Sequence, residues 1–208
     1  MTRTFIVSGT DTGIGKTSAA ALLTLGLGAH YWKPIQSGTE DGTDTATVKA
    51  LTGLPDDRFL PEAYVLTAPL SPHRSAELDG VTLDLDRLAL PRVDGPLIVE
   101  GAGGLMVPVT RNLLQIDLFR HWGAPVVLCA RTGLGTINHT LLSVEALRAR
   151  SMPLHGLLFI GDDNSDNIRT IAELSGARIL GRLPWLDRLD AASLGGIFAE
   201  TFSLEDFQ

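Results

Sequence analysis

Apolar residues along the chain follow two alternating patterns. Short runs that are apolar at nearly every position predict buried strands: TFIVS, HYWKPI, PLIVE, PVVLCA, LHGLLFI and ARILGRLP. Between them, Leu, Ile and Ala recur at helical spacing, which predicts helices at residues 17–27, 43–51, 113–122, 137–150, 164–174 and 191–202. Fully apolar strands are typical of parallel sheets with helices on both faces, so the pattern predicts an α/β fold with a mostly parallel central sheet.

The length of the chain limits its organisation. At 208 residues it is long enough for one well-filled core and too short for two ordinary enzyme domains, so we expect one domain, residues 1–208. The segment 55–80 is rich in Pro, Asp and Ser without clear periodicity, which predicts a long connection. In α/β sheets such connections often contact ligands.

Composition and charge exclude several classes of protein. The chain is 44% apolar and 20% charged, as in globular proteins, and no apolar stretch reaches the about 20 residues that span a bilayer. The start MTRTFIV enters a strand without a secretory signal, so we expect a cytoplasmic protein. The net charge of −7 and the scattered Lys and Arg residues argue against nucleic-acid binding and favour small-molecule ligands. Cys129, the only cysteine, lies in the apolar run VVLCA and is expected to serve packing.

The segment SGTDTGIGKTS, residues 8–18, nearly matches a phosphate-binding loop. The usual pattern G-x-x-x-x-G-K-[ST] needs a glycine at the position of Thr10, whereas here the glycine is Gly9. The context fits, because a strand precedes the loop and the N-terminus of a helix, which attracts anions, follows it. Lys16 would reach the β- and γ-phosphates, and the Thr17 hydroxyl would hold Mg²⁺. The predicted nucleotide contacts in the loop are Gly13, Ile14, Gly15, Lys16 and Thr17.

This loop predicts a P-loop NTPase-like fold. The alternative is a tight strand-to-helix turn with an exposed lysine. Partition and septum-positioning ATPases use a deviant loop with a second lysine where this chain has Asp11. The absence of that lysine argues against a nucleotide-dependent switch of their type.

The loop resembles the GTDTxxGKT motif of the dethiobiotin synthetases, and further matches follow in that family's order over nearly the whole chain. They are KPIQSG at 33–38, the aspartate Asp44, PLSPH at 69–73, VEGAGG at 99–104 and GLGTINH at 133–139. The resemblance implies a homodimeric enzyme that uses Mg²⁺ and ATP to convert 7,8-diaminononanoate and CO₂ into dethiobiotin, with the substrate site at the subunit interface. It also implies nucleotide contacts at Asp44, Glu100, Gly101, Ala102 and Gly103.

Two carboxylates are candidates for a metal site. Glu100 ends the apolar run PLIVE, where a buried carboxylate is costly unless a cation meets it. The resemblance places a metal-binding aspartate at Asp44. Together with Thr17 they would form a hard-oxygen site for Mg²⁺, completed by waters and phosphate oxygens. The alternatives are a structural salt bridge for Glu100 and helix capping for Asp44.

Lys16 and Lys33 are the predicted catalytic residues. Lys33 follows the aromatic pair YW at the end of a predicted strand, so its ammonium is expected to project into the ligand cleft. Two positive charges around a transferring phosphoryl group stabilise the charge on its oxygens. The alternative for Lys33 is a solvated surface lysine. Thr12 and Ser37 are predicted to bond substrate, with a turn residue as the alternative for each.

The helix that starts near Thr136 has open N-terminal amides that favour an anion, because two glycines precede it. The resemblance implies that this helix lies at the dimer interface and receives the carboxylate tail of the substrate from the neighbouring subunit. The residues concerned are Gly135, Thr136, Ile137 and Asn138. An ordinary N-cap by Thr136 is the alternative.

Two positions depart from the family's usual residues. Gly13 stands where the family commonly has glutamate, and Gly161-Asp162 stands where many members have Asn-Asp to read the nucleotide base. The segment Leu183-Pro184-Trp185 still resembles the family's base-side loop. Without the amide, we expect nucleoside triphosphates other than ATP to be accepted. A cobyrinate-type amidoligase is a further alternative, although 208 residues leave no room for a glutaminase domain.

Overall fold

A computed structural model describes residues 3–207 of the chain. Eleven strands occur in this part: β1 (Thr4–Gly9), β2 (His30–Trp32), β3 (Ile35–Ser37), β4 (Phe59–Leu60), β5 (Tyr64–Leu66), β6 (Leu97–Gly104), β7 (Pro108–Thr110), β8 (Leu113–Leu114), β9 (Val126–Arg131), β10 (Leu154–Ile160) and β11 (Ile179–Leu183). The α-helices of the same residues are α1 (Lys16–Gly26), α2 (Asp44–Thr52), α3 (Pro72–Leu78), α4 (Gln115–Trp122), α5 (Thr136–Ala149), α6 (Ser165–Ser175) and α7 (Ala191–Thr201). Short 3-10 turns occupy Asp56–Arg58, Asp86–Leu88 and Leu204–Phe207.

A seven-stranded parallel sheet forms the centre of the fold. Its strand order is β11-β10-β9-β1-β6-β2-β4, so β1 lies between strands that come much later in the chain. Residue Val7 of β1 pairs with Glu100 of β6, and Gly9 pairs with Cys129 of β9. The carboxyl ends of parallel strands meet at one edge of a sheet, which is where α/β proteins bind ligands. The expected α/β, P-loop NTPase-like fold is confirmed.

Alternate residues of each strand point into separate apolar layers on the two faces of the sheet. On one face, Val7 and Val127 pack in a cluster with residues of α1 and α7. On the other, Ile6 and Leu128 pack with residues of α4, α5 and α6. This alternation within apolar strands is what burial on both faces requires. Cys129 is fully buried in the first layer, and burial raises the pKa of its thiol to about 12, so its expected packing role is confirmed.

The predicted helices occur within about two residues of their expected limits, but two strand predictions are wrong in extent. The run HYWKPI forms two strands in different sheets, because Pro34 has no N–H to donate to a ladder. PLIVE does not end at Glu100: β6 continues through the glycines to Gly104, which pairs with Gly9. Glu100 therefore lies inside its strand.

The segment 55–80 is more regular than expected. It contains a 3-10 turn, the strands β4 and β5, and the helix α3. The strands have only two and three residues, which is too short for an alternating pattern to show in the sequence. Tyr64 and Leu66 of β5 join Ile35 of β3 in a third, smaller apolar cluster, which packs this connection against the main fold. Within residues 3–207, no helix has both the length and the apolar character needed to cross a membrane.

Candidate active site

Side chains predicted from separate parts of the sequence meet around one cavity of about 660 Å³. It lies where the phosphate loop, β6, the start of α2 and the segment before α3 approach one another. The predicted site residues that line it are Thr12, Gly13, Gly15, Lys16, Thr17, Lys33, Ser37, Asp44, Glu100, Ala102 and Gly103. Most of the predicted catalytic, metal and phosphate contacts therefore belong to a single space.

The phosphate loop joins β1 to the first residue of α1. Gly15 caps the helix in a left-handed conformation, φ 96°, which residues with a side chain rarely adopt. A Cβ atom at this position would lie 3.1 Å from Cγ2 of Ile160, so space also favours glycine. Ile14 is buried in the core and anchors the loop instead of lining the cavity. The loop thus presents backbone to the cavity at the N-terminus of an 11-residue helix.

Lys16 is buried, with 7% of its surface exposed, so the alternative of an exposed turn lysine is wrong. Its Nζ donates to the backbone carbonyl of Asp11, 2.8 Å away within the same loop. Burial, followed in smaller part by the charge of Lys33, lowers the pKa of the Lys16 ammonium. The ammonium is held beside the loop by a neutral acceptor, which is a bond that an incoming anion can replace.

Three oxygen-bearing side chains converge at the inner end of the cavity. The Thr17 hydroxyl oxygen lies 3.1 Å from Oδ1 of Asp44 and 3.1 Å from Oε1 of Glu100. Asp44 is the first residue of α2, and the N-cap is Thr43, whose side chain accepts from the Ala46 N–H. Helix capping by the Asp44 side chain is therefore not observed. A hydroxyl and two carboxylates form the hard-oxygen donor set that Mg²⁺ prefers.

Lys33 supplies positive charge to the same cluster. Its Nζ lies 2.6 Å from Oδ2 of Asp44 and 3.0 Å from Oε1 of Glu100, and it also donates to the carbonyl of Gly101 at 3.2 Å. Lys33 is 4% exposed and Glu100 is 1% exposed, which excludes the surface-lysine alternative. Glu100 does form a salt bridge, as its alternative interpretation proposed, but that bridge is part of the cavity wall.

The mutual contacts of this cluster set its protonation. Burial alone would lower the pKa of Lys33, but the charges of Glu100 and Asp44 and their hydrogen bonds raise it on balance. For Asp44, burial opposes ionisation, yet the Lys33 charge and hydrogen bonds from Lys33 and Thr17 bring its pKa below the usual value. The lysine ammonium and the aspartate carboxylate are therefore both charged near neutral pH.

Two contributors to the site were not predicted. The Tyr31 hydroxyl donates to Oε2 of Glu100 at 2.8 Å, and burial, then the Glu100 charge, raises the pKa of Tyr31 well above its usual value. The Gln36 side chain accepts from the backbone N–H of Asp44 at 3.0 Å, fixing the start of α2. The strand period offered a signal for Tyr31, since it lies two residues before Lys33 and residues two apart share a face.

The substrate-side residues border the open part of the cavity. The hydroxyl oxygen of Ser37 is buried and has no hydrogen-bond partner within residues 3–207, which leaves it available to a ligand. Thr12, an exposed residue of the phosphate loop, lines the same cavity. The segment Pro69 to Pro72 and Val107 complete the wall, so the connection before α3 does reach the cavity.

The predicted base-side residues lie beside the phosphate loop but outside the cavity lining. Gly161 has φ 128° and donates its N–H to the carbonyl of Leu183 at 3.0 Å. A Cβ atom on Gly161 would lie 2.6 Å from Oγ1 of Thr132 and 3.5 Å from Nε1 of Trp185, which is itself 63% exposed. The other residues of this predicted set, Asp162 and Pro184, are exposed and half-buried respectively.

The start of α5 also lies outside the cavity within this chain. Gly135 caps the helix in a left-handed conformation without a side-chain bond, so Thr136 is not the N-cap. Thr136 is buried, and its hydroxyl donates to the carbonyl of Arg131. Ile137 is half-buried and Asn138 is exposed. A predicted role toward a neighbouring subunit is compatible with this location and stays a prediction.

Comparison with known proteins bears on the fold and the family. The family model for an AAA domain matches residues 3–193. An ATP-dependent dethiobiotin synthetase BioD of Rhodopseudomonas palustris strain HaA2 is 59% identical over 207 residues, covering 100% of this chain and 97% of that protein. A protein of the same name from Novosphingobium aromaticivorans is 58% identical over 203 residues, covering 98% of each chain.

Solved structures with a similar fold are much more distant in sequence. The MinC:MinD cell division complex of Aquifex aeolicus gives a TM-score of 0.56 at 10% identity, covering 93% of this chain and 85% of that chain. A ParA family ATPase from Chlorobium tepidum gives 0.54 at 13% identity, covering 96% and 98%. These likenesses show the fold alone. The full-length relatives show the family, and the chain belongs to the ATP-dependent dethiobiotin synthetases, a family of ligases.

Proposed function

We propose that the protein uses Mg²⁺ and ATP to convert 7,8-diaminononanoate and CO₂ into dethiobiotin, ADP and phosphate. The observation that carries the proposal is the convergence of Lys16, Thr17, Lys33, Asp44 and Glu100 around one cavity. Full-length relatives named ATP-dependent dethiobiotin synthetase support the use of ATP and the product, and the sequence motifs of that family suggest the diamine substrate. We further propose a cytoplasmic location, where ATP and the other substrates are available.

The nucleotide phosphates would lie against the phosphate loop, where backbone amides at the start of α1 and the Lys16 ammonium face the cavity. Thr17, Asp44 and Glu100 would hold Mg²⁺, because the Thr17 hydroxyl lies 3.1 Å from an oxygen of each carboxylate and both carboxylates already bind a cation, the Lys33 ammonium. Bound there, Mg²⁺ would neutralise charge on the phosphate oxygens. The base-side contacts would be Gly161, Asp162 and the segment Leu183 to Trp185.

Lys33 and Lys16 would act on the transferring phosphoryl group from two sides. Both ammonium groups are buried, so each acts in surroundings where charge is poorly screened. Phosphoryl transfer depends mainly on positioning and on electrostatic stabilisation of the phosphoryl oxygens. Lys33 can exchange its bonds to Asp44 and Glu100 for a bond to the carbamate or the phosphoryl group. Ser37, with its free hydroxyl, and Thr12 would orient the diamine.

The chemistry can proceed without a covalent protein nucleophile. One substrate amine adds to CO₂ and loses a proton, which gives a carbamate. A carbamate oxygen then attacks the γ-phosphorus of ATP, ADP leaves, and a carbamic-phosphoric mixed anhydride results. The second amine attacks the carbonyl carbon of this anhydride, phosphate leaves, and the ureido ring closes with loss of a proton. The cavity residues supply charge and orientation for these steps.

A second copy of the chain would complete the substrate site. The start of α5 presents Gly135 and Asn138 at the surface, where helix amides and dipole favour the carboxylate tail of the diamine. Apolar side chains are exposed on and near this helix: Leu134 fully, Leu142 at 56% and Met106 at 53%. A homodimer that covers these residues would remove apolar surface from water and bring α5 to the partner's cavity.

The alternative from another class is a nucleotide-dependent switch of the partition type, whose fold the chain shares. Asp11 argues against it, because this carboxylate is ion-paired with Arg131 at the position where those switches carry lysine. Incubation of the protein with diaminononanoate, bicarbonate and Mg·ATP, followed by mass detection of dethiobiotin, separates the two. Stoichiometric dethiobiotin and ADP are expected. ATP hydrolysis without dethiobiotin would refute the ligase proposal.

A further inference from the structure

The phosphate loop contains a carboxylate that the proposed reaction does not use. Asp11 is the second residue after β1, within the loop that runs to Lys16. Its Oδ1 accepts the backbone N–H of Thr12 at 2.7 Å, and its backbone carbonyl accepts Lys16 Nζ at 2.8 Å. Asp11 therefore fixes both the neighbouring cavity residue and the lysine that faces the phosphates.

A carboxylate in a loop that binds polyphosphate has an electrostatic cost. Like charges at short range repel each other, and more strongly where the dielectric constant is lower than in water. The free Asp11 charge would therefore weaken binding of a nucleotide whose phosphates lie beside Thr12 and Gly13. The bond to the Thr12 N–H holds the Asp11 carboxylate in the loop. Binding of the phosphates therefore requires a positive charge close to this carboxylate.

Arg131 supplies the compensation. Its NH2 atom lies 2.8 Å from Oδ2 of Asp11. Arg131 is the last residue of β9, which pairs in parallel with β1, and the Thr10 N–H bonds to the Cys129 carbonyl at 3.0 Å. The Arg131 carbonyl accepts the buried Thr136 hydroxyl, which holds the strand end in place. The pairing of β9 with β1 therefore places the Arg131 guanidinium beside the loop, although the two are far apart in the chain.

This ion pair contributes little to folding, because the side chains of Arg131 and Asp11 are 45% and 49% exposed and solvent screens such pairs. We propose that Asp11 and Arg131 are a positioning pair for ATP. The carboxylate accepts the Thr12 N–H within the loop, and Arg131 shields the phosphates from the charge of that carboxylate. This inference rests on the proposed placement of the ATP phosphates against the loop.

The test measures binding of the non-hydrolysable analogue AMPPNP with Mg²⁺ by calorimetry, and turnover separately. Arg131→Gln is expected to weaken AMPPNP binding about tenfold and to raise the KM for ATP with a smaller change in kcat. The loss of AMPPNP affinity should be smaller at high salt, because the Asp11 carboxylate is partly exposed and salt screens its repulsion of the phosphates. Arg131→Lys should retain most of the affinity, and Asp11→Asn together with Arg131→Gln should restore it.

Arg169→Gln is the matched control, because it removes an arginine that pairs with Asp166 on the exposed surface of α6. It should bind AMPPNP as the unmodified protein does. Wild-type affinity in Arg131→Gln, or a double variant as weak as Arg131→Gln at every salt concentration, would overturn the inference. Absence of AMPPNP binding by the unmodified protein would instead refute the proposed nucleotide site. The thermal midpoint of each variant confirms that it is folded.

Discussion

Lys33 Nζ lies 2.6 Å from Oδ2 of Asp44, joining the connection between β2 and β3 to the first residue of α2. The same ammonium also bonds to Glu100, so one buried cation joins both carboxylates of the candidate metal site. Lys33 thus lies where a divalent cation and phosphate oxygens would gather. The lysine holds the two carboxylates together, which stabilises an arrangement that two negative charges alone would oppose.

Lys16→Ala should lower turnover by several orders of magnitude. A charge contact to a transferring phosphoryl group contributes a few kcal/mol, and each 1.4 kcal/mol is about tenfold in rate. Steady-state formation of dethiobiotin measures the effect. Lys49→Ala is the matched control, since Lys49 is exposed on α2 and pairs with Asp56. Unchanged turnover in Lys16→Ala would remove this lysine from the mechanism.

Glu100→Gln should raise the Mg²⁺ concentration that gives half-maximal rate while the protein remains folded. Glutamine keeps the shape of the side chain and can accept from the Tyr31 hydroxyl, but it lacks the charge that favours a divalent cation. Titration of Mg²⁺ at saturating ATP measures the shift. Glu173→Gln, an exposed change on α6, should leave the Mg²⁺ dependence unaltered. The same result for Glu100→Gln would mean that Glu100 is structural.

Asp44 should make the stability of the protein depend on acid pH. Its pKa in the folded protein is below the value of 3.8 for an unperturbed carboxyl. A lowered pKa contributes stability that is fully present above about pH 4 and is lost as the pH falls through the folded-state pKa. Denaturant unfolding from pH 6 to pH 2 should therefore show a weaker acid dependence in Asp44→Asn than in the unmodified protein.

The exposed carboxylate of Asp57 provides the comparison for this experiment, because Asp57→Asn makes the same chemical change on a turn outside the site. Its unfolding free energy should follow the pH dependence of the unmodified protein. Equal acid dependence in Asp44→Asn and the unmodified protein would show that the Lys33 contact does not stabilise the ionised carboxyl in the folded state.

Selectivity for the nucleotide base should be relaxed. With glycine at position 161, one or two hydrogen bonds of about 1 kcal/mol each are lost, so CTP or GTP should support turnover within about two orders of magnitude of ATP. Competition among equal concentrations of the three nucleotides measures this. Strict use of ATP would show that other groups read the base.

The structure changes what is expected of Gly161→Asn. The sequence alone suggested that an added amide would sharpen the preference for ATP. A Cβ atom there would lie 2.6 Å from the Thr132 hydroxyl, on backbone with φ 128°, so the variant should have a lower thermal midpoint. Gly133→Asn, which introduces the same side chain where a Cβ meets nothing within 4 Å, is the control. An unchanged thermal midpoint in Gly161→Asn would show that the Thr132 side chain can move to make room for the added Cβ atom.

Local patterns were enough to predict six of the seven α-helices of residues 3–207, the long strands and the phosphate loop, but not the seven-residue helix α3. The periodic spacing of apolar residues and the glycines before Lys16 are local features. Both can therefore be recognised from the sequence alone. The two-residue strand β4 and the split of HYWKPI were missed, because their pairing partners are distant in the chain and short strands carry no period.

The sequence by itself determined the fold class, the phosphate-loop motif and the residue types of the candidate site, since these follow from local pattern and from motifs in order. Only the tertiary structure decided that Lys33 bridges Asp44 and Glu100, that Tyr31 bonds to Glu100, and that Arg131 pairs with Asp11. All of these contacts except Lys33–Asp44 join residues far apart in the chain. Their geometry depends on the order of β9, β1, β6 and β2 in the sheet, and strand order is set by packing of the whole core rather than by any local segment.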